Sequence, residues 1–68
     1  MADKLKVVII GCGRQGDEHS KGISSFADAE LVGFYDVMPE AARLLSQKYG
    51  GTPYASLEEM LDKERPDA

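Results

Sequence analysis

Six consecutive residues, Gly11-Cys12-Gly13-Arg14-Gln15-Gly16, space three glycines as G-x-G-x-x-G. Backbone stripped of side chains in this pattern suits the approach of a diphosphate to main-chain N–H groups. Gly11 permits a tight turn, Gly13 leaves room for a pyrophosphate, and Gly16 lets a helix pack closely on a strand. A helix starting here would add unbonded N–H groups and the positive end of its dipole. Twenty residues after Gly16 stands Asp36. A carboxylate at that distance accepts hydrogen bonds from the adenosine ribose hydroxyls of NAD and repels the extra 2′-phosphate of NADP. Val37 and Met38 supply no cation, and Arg43, about one turn into the next helix, is the nearest. NAD is therefore expected ahead of NADP. The motif alone is weak: glycines can simply end a strand, and Asp36 can be an ordinary loop acid. The surrounding elements decide between the two readings.

Lys6 to Ile10 reads as a strand, and its run Val7-Val8-Ile9-Ile10 predicts burial on both faces, as in a parallel sheet. Arg14 to about Phe26 reads as a helix with a thin apolar face of Ile23 and Phe26, joined by His19. Glu30 to Tyr35 is a second strand ending at Asp36. Pro39 suits the first turn of a second helix, Ala42, Leu45 and Tyr49 form its inner face, and Gly50-Gly51 stops it. Thr52 to Ala55 is a short third strand, which Pro53 confines to an edge or a strand start. Ser56 and Glu59 make a capping box ahead of Leu57, Met60 and Leu61, and Glu64-Arg65-Pro66 closes the last helix. The order β-α-β-α-β-α with short connections predicts an α/β fold with a parallel sheet and right-handed crossovers. The glycine motif then falls between a strand and a helix, the context in which it carries meaning.

Composition narrows the remaining chemistry. The chain has 68 residues, 43% hydrophobic and 29% charged, and a net charge of -4. A phosphate backbone is repelled on average, so nucleic acid is not an expected partner. The longest apolar run, Val7 to Ile10, is far too short for a membrane span or an export signal. With a single thiol, Cys12, no disulfide forms, and the reducing cytoplasm is the expected compartment. His19 is the one histidine and has no second ligand at metal spacing, so neither a metal nor a catalytic role is expected of it. Cys12 reads as a small residue filling a tight loop rather than an activated thiol. Tyr35, Tyr49 and Tyr54 read as packing residues with one wet end, and Tyr54 is a candidate border for an adenine.

The segment Lys6 to Gly16, with His19 three residues on, resembles the opening of the Gfo/Idh/MocA oxidoreductases, which commonly read G-x-G-R-x-G-x-x-H. The likeness continues through Leu31 to Asp36, Ala41-Ala42, Tyr54 to Leu61 and the closing Pro66-Asp67-Ala68. It implies a partial Rossmann fold, the N-terminal half of a dinucleotide-binding domain over 1–68, with three parallel strands in the order 3-2-1. The fourth and later strands and the substrate domain are expected to lie outside these residues. By the same resemblance Gly11, Gly13 and Gly16 match the phosphate loop, Arg14 and Gln15 offer backbone N–H groups to the pyrophosphate, and Asp36 binds the ribose. No residue here matches a catalytic one, so the chain alone is expected to be inactive. The parent is expected to transfer hydride between nicotinamide and a sugar, polyol or related metabolite. Two other readings stand beside this one. The first is an incomplete module that only binds nucleotide or self-associates through the unpaired first strand and an uncovered sheet face. The second is an FAD-binding chain of another Rossmann family.

Overall fold

The computed structural model describes residues 4–68. Six elements alternate: β1 (Leu5–Ile10), α1 (Arg14–Ser24), β2 (Ala29–Tyr35), α2 (Pro39–Tyr49), β3 (Thr52–Tyr54) and α3 (Leu57–Glu64). All strand pairs are parallel. The sheet runs in the sequential order β1-β2-β3 from the β1 edge, where the expectation is written 3-2-1, the same neighbours counted from the opposite edge. The physical reason is the crossover: α1 and α2 each return the chain beside the strand it has just left, so strands add in chain order from the β1 edge. Central β2 is the best-covered strand, with Leu31, Gly33 and Phe34 buried.

The core lies where α1 and α2 meet the sheet. Ile9, Cys12, Leu31, Phe34, Ala42 and Leu45 form one buried cluster, with Val7, Ile23, Ala41 and Tyr49 packed against it. On β2, Gly33 leaves space for α3: a Cβ there would stand 3.0 Å from the Met60 sulfur and 3.3 Å from the Tyr54 ring. Met60 is fully buried as a result. The Ser56 hydroxyl accepts the Glu59 N–H at 3.2 Å, one half of the predicted capping box, and α3 stops at Arg65 in the left-handed conformation.

Three details depart from expectation. Burial on both faces of β1 is incomplete: Ile9 is buried but Ile10 is 58% exposed. Helix α1 ends at Ser24, short of Phe26, which is 66% exposed. There the Ser24 and Ser25 hydroxyls bond the carbonyls of Lys21 and Gly22, an alternative to continued helix. Nor is the outer edge of β1 wholly unpaired. The N–H groups of Asp67 and Ala68 donate to the Lys6 carbonyl, the Val8 N–H donates to the Ala68 carbonyl at 3.0 Å, and the Lys6 N–H donates to the Asp67 carboxylate at 2.8 Å. This is the bonding pattern of one parallel bridge between Val7 and Ala68.

Candidate functional site

The β1–β2 register shifts between Val7 and Val8: Val7 pairs with Leu31 but Val8 with Gly33, so Val32 is an extra residue on β2. The bulge brings the end of β2 level with the end of β1, where Ile10 pairs with Tyr35. The Gly11 N–H donates to the Tyr35 carbonyl at 2.9 Å, and Gly11 turns the chain with φ +90. Residues 11–13 form the corner, and α1 begins at Arg14.

Close packing holds that corner. A Cβ on Gly16 would stand 2.2 Å from the Gly11 carbonyl oxygen and 3.4 Å from Ile9 Cγ2. Around a Cβ on Gly13, by contrast, nothing lies within 4 Å. Gly13 also supplies no side-chain cap, and the Asp17 N–H is the first in α1 to bond back, to the Gly13 carbonyl at 3.0 Å. The N–H groups of Arg14, Gln15 and Gly16 thus precede the helix's own bonding. A cleft of about 450 Å³ opens beside them, lined by Ile10, Gly11, Gly13, Arg14, Gln15, Gly16 and His19.

Asp36 meets this corner directly. Its Oδ2 accepts the Cys12 N–H at 2.7 Å and its Oδ1 accepts the Met38 N–H at 2.7 Å. These bonds, Met38 first and Cys12 second, hold its carboxyl below the ordinary carboxylate value. The Cys12 thiol points inward and reaches the Tyr35 carbonyl at 3.3 Å. Burial, and then the Asp36 charge, push its pKa up, the opposite of an activated thiol.

All six residues singled out from the sequence, Gly11, Gly13, Arg14, Gln15, Gly16 and Asp36, fall at this one strand-to-helix corner or across from it. His19 is exposed on α1 and borders the same cleft. A second recess, of about 280 Å³, is lined by Pro39, Arg43, Pro53, Tyr54 and Ala55. The Tyr54 hydroxyl donates to the Glu64 carboxylate, which pushes its pKa up to about 12.

Two features were invisible in the linear chain. One is the pairing of Asp36 with Cys12, although the Asp36 bond to Met38, two residues on, is a local turn that D-V-M-P signals. The other is a brace between helices: Asp17 on α1 takes the Lys48 ammonium at 3.0 Å and the Tyr49 hydroxyl at 2.5 Å, both from α2. Among the described residues, no group of three His, Cys, Asp or Glu could hold a metal, and no helix is long and apolar enough to cross a membrane.

A glycine-lined β-to-α corner facing a carboxylate at the end of the next parallel strand defines a Rossmann-type unit. Residues 5–68 match the family described as an oxidoreductase family with an NAD-binding Rossmann fold, and the chain belongs to it: the Gfo/Idh/MocA oxidoreductases. Two curated relatives are similar. Glucose-6-phosphate 3-dehydrogenase of Bacillus subtilis (strain 168) is 33% identical over 57 residues, covering 84% of this chain and 16% of its own length. Inositol 2-dehydrogenase of Rhizobium meliloti (strain 1021) is 43% identical over 42 residues, covering 62% of this chain and 13% of its own. The chain therefore spans about one seventh of the relatives it matches. No solved structure matches it.

Proposed function

We propose that residues 1–68 form the N-terminal half of a dinucleotide-binding domain and hold the adenosine and pyrophosphate portion of NAD. The carrying observation is the open space over Gly13, next to three helix-start N–H groups and across from the Asp36 carboxylate. Backbone N–H groups of Arg14, Gln15 and Gly16 would bind the diphosphate, and Asp36 would accept the ribose hydroxyls on lone pairs its two backbone partners leave free. The recess lined by Pro39, Arg43, Pro53, Tyr54 and Ala55 is the candidate seat for the adenine. Asp36 favours NAD over NADP because its bonds keep it ionised, and Arg43 is drawn toward Glu40 at 3.9 Å.

When bound, the nicotinamide cofactor supplies hydride transfer; the side chains here bind and orient it. The parent enzyme would act on a hydroxyl or carbonyl carbon of a sugar, polyol or related metabolite, in line with the names of both relatives. A lone buried thiol fits a reducing, cytoplasmic setting.

Calorimetric titration of the chain with NAD, NADP and FAD tests this reading. The expected order places NAD tightest, and Asp36→Ser removes the NAD over NADP preference. Tighter binding of FAD, or an unchanged preference in Asp36→Ser, would refute it. A second reading, self-association, rests on Ile10, exposed at the end of an edge strand. Light scattering after size exclusion should then show a dimer that Ile10→Lys dissociates, and a monomer at high concentration counts against it.

A further inference from the structure

Gly11 and Gly13 offer no side chain with which to fix their own loop, and neither has any atom within 4 Å of where a Cβ would be. Among the described residues, one side chain from outside β1 and α1 hydrogen-bonds this corner. That group is the Asp36 carboxylate, whose two oxygens accept the Cys12 N–H and the Met38 N–H, each at 2.7 Å. We propose that Asp36 is the positioning residue of the glycine corner: its carboxylate ties loop 11–13 to the β2–α2 turn before any nucleotide arrives.

A carboxylate is the side chain suited to this. Two N–H donors converge on one group, and only an ionised acid offers two oxygens that accept without donating. An asparagine has the same shape, yet its NH2 would face one of the two donors. Serine has a single oxygen and a shorter reach. Two further ties on the corner, from the Gly11 N–H and the Cys12 thiol, end on the Tyr35 carbonyl, the residue just before Asp36. The end of β2 thus anchors Gly11 and Cys12. A substitution at Asp36 made to change ribose recognition would therefore also loosen the phosphate loop.

The inference concerns the site proposed for NAD but does not rest on that ligand, so its test contains no nucleotide. The probe is the 15N-labelled full chain, with amide resonances followed from acid to neutral pH. Cys12 and Met38 amide protons should move together, with one shared midpoint below the ordinary carboxylate range. The thiol of Cys12, the titratable neighbour of Asp36, stays protonated throughout because burial and the Asp36 charge raise its pKa. Cys12 is the decisive resonance: it lies 24 residues away in the chain, whereas a merely local turn would move Met38 alone. In Asp36→Asn both transitions should vanish, and exchange of the Cys12 amide should speed by about tenfold or more, as loss of a bond to a charged group implies. A Cys12 resonance that ignores the Met38 midpoint, or still titrates in Asp36→Asn, overturns the proposal. Should Asp36→Asn fail to fold, the paired titration of the unaltered chain decides alone.

Discussion

Replacing Gly16 by alanine adds one methyl group at the point where α1 touches the glycine corner. That Cβ would stand 2.2 Å from the Gly11 carbonyl oxygen and 3.1 Å from its carbon. A carbon–oxygen contact needs about 3.3 Å, so the shortfall is about 1 Å. Both obstructing atoms are backbone, and no rotamer change relieves the clash. Overpacking of this kind costs about 1–3 kcal/mol, and a rigid carbonyl puts Gly16 at the upper end. Alanine offsets about 1 kcal/mol through its better helix propensity. The net loss is about 2 kcal/mol, from a total of roughly 3–10 kcal/mol for a chain of this length. In a domain this small the melting temperature should fall by about 8–16 °C. Gly22 on the same helix supplies the control. Nothing lies within 4 Å of its Cβ position, so Gly22→Ala should raise the melting temperature by a few degrees. Thermal unfolding followed by circular dichroism reads both. If Gly16→Ala melts with or above the unaltered chain, or if both variants drop alike, close approach at the corner is not what requires glycine there.

Stability should fall away at both ends of the pH scale. Asp17, held down by Tyr49 first and Lys48 second, and Asp36, held down by Met38 and Cys12, stabilise the fold above their ordinary value of 3.8. That contribution is lost as pH drops through their lower folded values. Tyr54 works in the opposite direction: its stabilisation is complete below 10.0 and is lost as pH rises toward about 12. Urea midpoints measured across pH check this, and Tyr49→Phe should shrink the acid-side loss; a flat acid limb would refute it. Met60→Ala empties the fully buried site against Gly33 and should cost about 2–5 kcal/mol, whereas Leu61→Ala, at a 42% exposed position, should cost far less. Equal urea midpoints for the two would mean that α3 contributes no packing to the sheet.

Much of the fold is legible in the sequence, because the signals involved are local. The β-branched run before Gly11, Pro39 at a helix start, the Gly50-Gly51 stop and the Ser56 cap each depend on neighbouring residues alone, and they place all six elements to within a few residues. The candidate site was legible for the same reason: a strand, three spaced glycines and an acid after the next strand imply one corner. The boundary at Ser24 is not legible in the same way: Phe26 is an apolar residue at core spacing, and only packing leaves it 66% exposed.

What the chain of residues determined by itself was the alternation of elements and the identity of the groups at the corner, since turn conformation and helix starts follow from side chains a few positions apart. Tertiary structure alone decided how those groups meet. The extra Val32 on β2, the bond from Cys12 to Asp36, the Asp17–Lys48–Tyr49 brace and the pairing of Ala68 beside Val7 all join residues far apart in the chain. Such contacts depend on strand register and on the path of each crossover. Both are set by how the whole sheet and its helices pack, a quantity that no short window of sequence contains.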